Sequence, residues 1–400
     1  MSHQKQLFSE ILREPYSHRN SVSSMQSILS HFHYTDPGIL EQERSKIFRQ
    51  LWLFACLSST LAAPNAYASL SLAGQPVLIQ NCNGEIRAFK NQCPHRLVPL
   101  QAEGFGQSPM RCPYHGWTFN NDGSVKSIPH ESNLYNFSSE EREKLCMKNY
   151  AVEIVGNMIF INLSENPLPI EKQFTPEILD KLRDISTHFS AQTAHITVEV
   201  DYNWKLQYEN VLDYNHVPYV HPQSFLPLLT KDNSSNLTKK KIEQPSIPFF
   251  PDVPSTLNAQ SYHTRAALKI PPQPWHSMVD RYGEGGFFEN FFLFPNVNFN
   301  CAEGMVFKIE QYEPLTPSRT AVRFTMAVAK EKQRIRALPA ILSGCIRNDV
   351  NVLHEDRMYL ERLQKGLHAG SPKVHHGQYE RYLISFAQVY EKLLKGERPW

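Results

Sequence analysis

The 400-residue chain has no apolar run long enough to cross a bilayer. Its most apolar stretch, Leu51 to Ala63, is short and carries Ser58, Ser59 and Thr60. The opening residues, Met-Ser-His-Gln-Lys-Gln, lack the charged-then-apolar pattern of a leader, so the expected location is the cytoplasm. Charge of one sign is missing too. With 41 Lys+Arg against 39 Asp+Glu the net charge is +2, which gives no reason to expect nucleic acid or a membrane surface as partner. The compact basic run Lys239-Lys240-Lys241 reads as a solvated loop. A disulfide framework is absent: seven cysteines is an odd, scattered set, which suits a reducing compartment with some thiols recruited as ligands. No Gly-x-Gly-x-x-Gly fingerprint is present, since Gly104-Phe-Gly106 runs on to Pro109 and Gly283-Glu-Gly285 to Phe288. The chain is therefore not expected to bind a dinucleotide itself.

What is present is an ordinary globular composition, 41% hydrophobic and 20% charged, in a chain long enough for two domains. Residues 1–50 read as largely helical, with Asp36-Pro37-Gly38 opening one segment. From Leu51 the texture changes to short alternating strands, with hairpin signals at Asn83-Gly84 and Asn121-Asp122-Gly123. This predicts an all-β unit over 45–165. A mixed α+β unit over 166–400 follows, with 1–44 as its N-terminal helical part. Within it, Met305–Tyr312 and Thr320–Val328 read as an antiparallel pair, and Pro339–Lys365 as a helix with Gly366 as C-cap. Residues 223–260, rich in Pro, Ser and Asn, read as a lid or binding loop.

Two motifs carry chemistry. The first is Cys93-x-His95, sixteen residues, then Cys112-x-x-His115. Each half offers one thiolate and one imidazole. A zinc finger pairs Cys with Cys and His with His. The mixed pairs suit a two-iron, two-sulfur cluster held by two cysteines and two histidines, the Rieske centre. The other five cysteines (Cys56, Cys82, Cys146, Cys301, Cys345) lack such spacing and read as buried fillers. The second motif is Asn203 to His221, which holds Asp213, His216 and His221. Asp213 and His216 are three apart, which on a helix gives them one face. Pro218 should end that helix near His216 and let His221 swing back. Two histidines with one distant carboxylate make the face that holds ferrous iron with open positions.

Together these blocks resemble the oxygenase α subunit of Rieske non-haem iron oxygenases, the aromatic-ring-hydroxylating type. The resemblance rests on Cys-x-His…Cys-Pro-Tyr-His-Gly-Trp, Glu209-Asn-Val-Leu-Asp-Tyr-Asn-His…His221 and His354-Glu-Asp-Arg…Glu361-Arg-Leu-Gln-Lys-Gly-Leu367. One departure is Leu97, where the family often has glycine. The resemblance implies a small all-β Rieske domain plus a larger helix-grip-like catalytic domain with an antiparallel sheet and a long C-terminal helix. It implies that the third iron ligand is a carboxylate on that helix. Asp349, Glu355 and Asp356 compete; Asp349 and Asp356 share an apolar stripe, and the Glu-Asp…Glu…Gln-x-Gly-Leu pattern favours Asp356. Asp213 is implied as a bridge rather than a ligand, linking an iron-bound histidine to the cluster ligand His115 of a neighbouring subunit. That arrangement implies a ring, most often a trimer. Electrons would come from NAD(P)H only through a separate reductase, with or without a ferredoxin.

The implied activity is use of O2 to hydroxylate a small organic substrate. An aromatic one is preferred, because Phe287, Phe288, Phe291, Phe292, Phe294, Phe299, Trp275 and Tyr219 could wall a pocket, although half or more would serve as strand core. The alternative is oxidative demethylation or hydroxylation of a quaternary ammonium or betaine compound. A Rieske electron carrier, or a binding protein with a degenerate iron site, is the rival from another class.

Overall fold

The computed structural model describes residues 25–225, 228, 261–370, 374–377 and 380–397. The helical reading of 1–24 and nearly all of the 226–260 loop lie outside them. Among the described residues no helix is long and apolar enough to cross a membrane.

Strand β1 (Met25–Gln26) precedes a helix, Pro37–Glu43, capped by Asp36, whose carboxylate accepts the amide protons of Gly38 and Ile39. The β-rich unit contains β2 (Trp52–Leu57), β3 (Ala66–Leu72), β4 (Gln75–Cys82), β5 (Glu85–Lys90), β6 (Gly104–Gln107), β7 (Thr118–Phe119), β8 (Val125–Ser127), β9 (Asn149–Val155) and β10 (Met158–Asn162). Seven of these form an antiparallel sheet in the order β2-β10-β9-β5-β4-β3-β6, and β7 pairs with β8. Asn83-Gly84 does make the two-residue turn between β4 and β5, both residues having positive φ.

The second sheet contains β11 (Phe189–Val200), β12 (Tyr262–Ala267), β13 (Phe287–Leu293), β14 (Val297–Ala302), β15 (Val306–Thr316) and β16 (Arg319–Ala329). Its order is β11-β16-β15-β14-β13-β12. The long helix Leu338–His368 packs on this sheet. It runs through Gly366 rather than stopping there, and Gly370, at φ +72°, is the left-handed residue beyond its end. A last strand, β17 (His375–His376), pairs with β1, and the helix Arg381–Leu394 follows.

The two units share one apolar cluster, which includes Ile47, Phe48, Ile159, Trp204 and Tyr312. Polar ties cross the same boundary. The Glu313 carboxylate accepts from the amides of Ala73 and Gly74 and the hydroxyl of Ser71. Gln311 donates to the carbonyl of Phe54, and Gln173 to those of Trp52 and Phe294. Each satisfies backbone groups that burial would otherwise leave unpaired.

Candidate metal centres and substrate cavity

The two cluster-motif loops fold alike. In the first, the amide of Leu97 donates to the Cys93 carbonyl (2.8 Å) and that of Cys93 to the Val98 carbonyl (2.9 Å). In the second, Gly116 donates to Cys112 (3.0 Å) and Cys112 to Trp117 (2.8 Å). Leu97 and Gly116 occupy equivalent places, both left-handed, at φ +62° and +71°. The turns bring the His95 and His115 rings to 4.7 Å between centroids, with His95 stacked flat on Trp117. Cys93 and Cys112 are buried hydrogen-bond neighbours. Burial first, then the adjacent thiol, pushes Cys93 up to about 11. The Nδ1 atoms of both histidines are buried without a partner. Two crowded thiols and two orphaned imidazole nitrogens fit a group that takes two sulfur and two nitrogen donors.

In the second unit the helix Trp204–Leu212 ends at Asp213, which is extended (φ −99°, ψ 111°). Asp213 and His216 therefore do not share one helix face. A new short helix, Val217–Val220, starts after His216 and takes Pro218 in its first turn, where the missing amide proton costs nothing. That helix delivers His221. His216, His221 and Asp356 then present ligand atoms that all lie within 4.8 Å of one another. Asp356 Oδ1 is 2.9 Å from His221 Nε2 and 3.6 Å from His216 Nε2. Asp356 is 6% exposed, and no hydrogen bond satisfies its Oδ1. A buried carboxylate beside two imidazoles fits a divalent ion.

The competing acids sit elsewhere. Asp349 is seven residues earlier on the long helix and faces Lys308 at 3.3 Å. Glu355 accepts from His221 Nδ1 at 2.7 Å, and from the Ser224 hydroxyl. Asp213 is 3.6 Å from the Nδ1 of His216 and accepts the amide proton of Asn215. Each histidine thus has one nitrogen toward the triad and the other toward a carboxylate; at His221 the Glu355 bond fixes tautomer and orientation, whereas Nδ1 of His216 makes no hydrogen bond among the described residues.

A cavity of about 680 Å³ opens beside the triad. Phe288 and Trp275 line it, whereas Phe291, Phe292, Phe294 and Phe299 are strand core and Tyr219 is exposed. The sequence reading missed a polar stripe across the sheet. Asn290, Asn298 and Asn300 hydrogen-bond to one another, Tyr214 and Asn290 pair, and Lys308 lies between Glu310 (2.6 Å) and Asp349. The signal was available as polar residues at every second place, 298 and 300 in one strand, then 308 and 310 in the next. Among the five remaining cysteines, Cys146 is exposed, not buried, and Cys345 lines the cavity.

The ring hydroxylating alpha subunit (catalytic domain) family matches residues 188–396, and the Rieske [2Fe-2S] domain family matches residues 51–138. The chain belongs to the ring-hydroxylating alpha subunit family. As in that family, a [2Fe-2S] domain is joined to a catalytic domain of the kind that binds mononuclear iron. Carnitine monooxygenase oxygenase subunit from Acinetobacter pittii (strain PHEA-2) is 32% identical over 193 residues, 47% of this chain and 51% of the relative. The chain thus spans about half the length of that relative. Among solved structures, a quaternary ammonium Rieske monooxygenase superposes with TM-score 0.71 at 21% identity, covering 93% of this chain and 96% of the other. Naphthalene 1,2-dioxygenase from Rhodococcus sp. bound to indole gives 0.68 at 18%, covering 92% and 94%. These two likenesses establish the fold of this ring-hydroxylating alpha subunit.

Proposed function

We propose that the protein is the oxygenase component of a Rieske non-haem iron system, hydroxylating a small organic substrate with O2. The observation that carries this is the convergence of His216, His221 and Asp356 in the wall of a large cavity, in a chain that also has the cluster motif. Cys93, His95, Cys112 and His115 would hold the [2Fe-2S] cluster, and His216, His221 and Asp356 the ferrous ion. When bound, the iron supplies reduction and activation of O2. The residues of the chain do the rest. Glu355 holds the Nδ1 proton of His221, so that its Nε2 is presented as a lone pair, and the Asp213 carboxylate stands 3.6 Å from Nδ1 of His216. The apolar side of the cavity excludes water, while its asparagines orient the substrate. Asp213 also lines a second cavity of about 260 Å³, which suits the bridging role toward His115 of a neighbouring copy. A homotrimer or a multiple of it follows. Electrons come from a separate reductase, directly or through a ferredoxin.

For the substrate, Phe288 and Trp275 support an aromatic one. The likeness to a carnitine monooxygenase subunit favours the second reading, a quaternary ammonium or betaine compound. Iron analysis tests the central claim: three irons per chain for the oxygenase, against two for an electron carrier or a degenerate relative. Asp213→Asn should keep the cluster spectrum and lose coupled turnover; unchanged turnover would remove the bridge.

A further inference from the structure

Asn300, Lys308 and Glu310, from two paired strands, line the cavity together with Asp349 of the long helix. Asn300 is 4% exposed, and both its amide donations go to Asn290 and Asn298. Its Oδ1 has no partner among the described residues and belongs to the cavity wall. Asn300 pairs across β14 and β15 with Lys308. Lys308 is the only lysine or arginine among the described residues lining the cavity, and it is already shared by two carboxylates, Glu310 and Asp349. Two carboxyl groups share the one ammonium, and the Tyr312 hydroxyl also donates to Glu310 at 2.9 Å. Burial pushes the Asp349 carboxyl above its ordinary range; Lys308 opposes this and Glu310 adds to it. A second cation in the cavity would resolve that conflict, whereas an anion would deepen it.

We infer that Asn300, Glu310 and Asp349, gathered around Lys308, form a subsite for a cationic ammonium group of the substrate. Asp349 precedes Asp356 by seven residues on one helix, about 10 Å along its axis. The subsite is therefore remote from the triad and would anchor the substrate without using a metal ligand. This inference rests on the reading of the triad as the iron site, because that reading makes the cavity a substrate cavity.

The test is calorimetric titration of the full-length, iron-loaded protein with three probes of one shape: phenyltrimethylammonium, neutral tert-butylbenzene and anionic benzenesulfonate. The cation should bind about tenfold or more tighter than either, a small part of one desolvated charge pair. Asp349→Asn should weaken the cation about tenfold and leave the neutral probe unchanged. Lys308→Met should act in the opposite direction and tighten the cation, which a merely structural role for these residues does not predict. Cluster absorbance of each variant reports folding. Equal binding of all three probes, preference for the anion, or equal effects of the two substitutions would overturn the subsite. Iron content is measured on the same samples. Protein with cation preference but no mononuclear iron would sink the oxygenase reading, and with it the assignment to substrate, leaving only a cation-binding cavity; three-iron protein without the preference would sink the subsite alone.

Discussion

Nδ1 of His221 lies 2.7 Å from Oε2 of Glu355, while the other nitrogen of the same ring lies 2.9 Å from Oδ1 of Asp356. Glu355 thus holds one side of the imidazole and leaves the other facing the Asp356 carboxylate. Glu355→Ala removes the partner that fixes the ring, so ferrous iron should bind about 10–100-fold more weakly. Glu355→Gln should recover part of this, because an amide oxygen still accepts from Nδ1–H. Iron titration followed by metal analysis checks the prediction, with cluster absorbance as the internal control. Equal iron affinity in parent and Glu355→Ala would show that the contact positions nothing.

Leu97 and Gly116 hold the same place in the two cluster loops, and only one of them is a residue suited to positive φ. A left-handed leucine costs roughly 1–2 kcal/mol. Glycine there gives back part of the gain through unfolded-state entropy, about 0.5–1 kcal/mol. Leu97→Gly should therefore stabilise the β-rich unit by up to about 1 kcal/mol, and Leu97 is exposed, so no core contact is lost. Gly116→Ala should have the opposite sign. Its added Cβ would sit 3.3 Å from Pro129 and 3.4 Å from Arg111, at a φ that alanine resists. Thermal loss of cluster absorbance orders the three proteins; any other order counts against this account.

These contrasts show what the sequence could carry. The proposed cluster ligands stand out in sequence because each Cys–His pair sits on one short turn, and turn chemistry is local. Asp356, the proposed third iron ligand, lies 135 positions beyond His221. Helical period alone could not choose between Asp349 and Asp356, since seven residues return to the same stripe. What separates them is Lys308, from a strand whose pairing no helix pattern reveals. The break after Leu212 was hidden because Pro218 signals equally well a helix that stops or a new one that starts. The phenylalanine run divides as expected, half or more of it into core. Alternate strand residues face opposite ways, so a cluster in sequence becomes two sets in space, and most of these rings lie in core rather than in the cavity.

Glu43 anchors the N-terminal segment to the helix that leads into the triad. Its carboxylate accepts from Lys205 Nζ (2.5 Å), the Tyr390 hydroxyl (2.5 Å) and the Trp204 indole (2.8 Å), and both Glu43 and Lys205 are fully buried. Glu43→Gln leaves the Lys205 ammonium buried without its counter-charge, at a cost of about 3–5 kcal/mol. Adding Lys205→Met to that background should recover most of the loss, since it removes the uncompensated buried charge. Urea denaturation followed by circular dichroism measures both. A double variant no more stable than the single one would mean that the site depends on the pair itself.

Glu209 lies one turn before Asp213 and accepts the Tyr34 hydroxyl at 2.7 Å. Burial raises its carboxyl from 4.5 to about 7, while the Tyr34 bond and the Lys205 charge pull the other way. The unfolded chain ionises near the ordinary value, so between about 4.5 and about 7 the folded state holds the extra proton. Stability therefore falls as pH rises through this window, and the loss is complete above it. Glu209→Gln keeps an acceptor for Tyr34 and removes the titration. Parent and variant should melt alike near pH 4, and the variant should be the more stable above pH 7. Thermal melts at pH 5 and pH 8 decide the matter: parallel shifts in the two proteins would place the pH dependence elsewhere, and a parent that gains stability toward pH 8 relative to Glu209→Gln would reverse the sign of the argument.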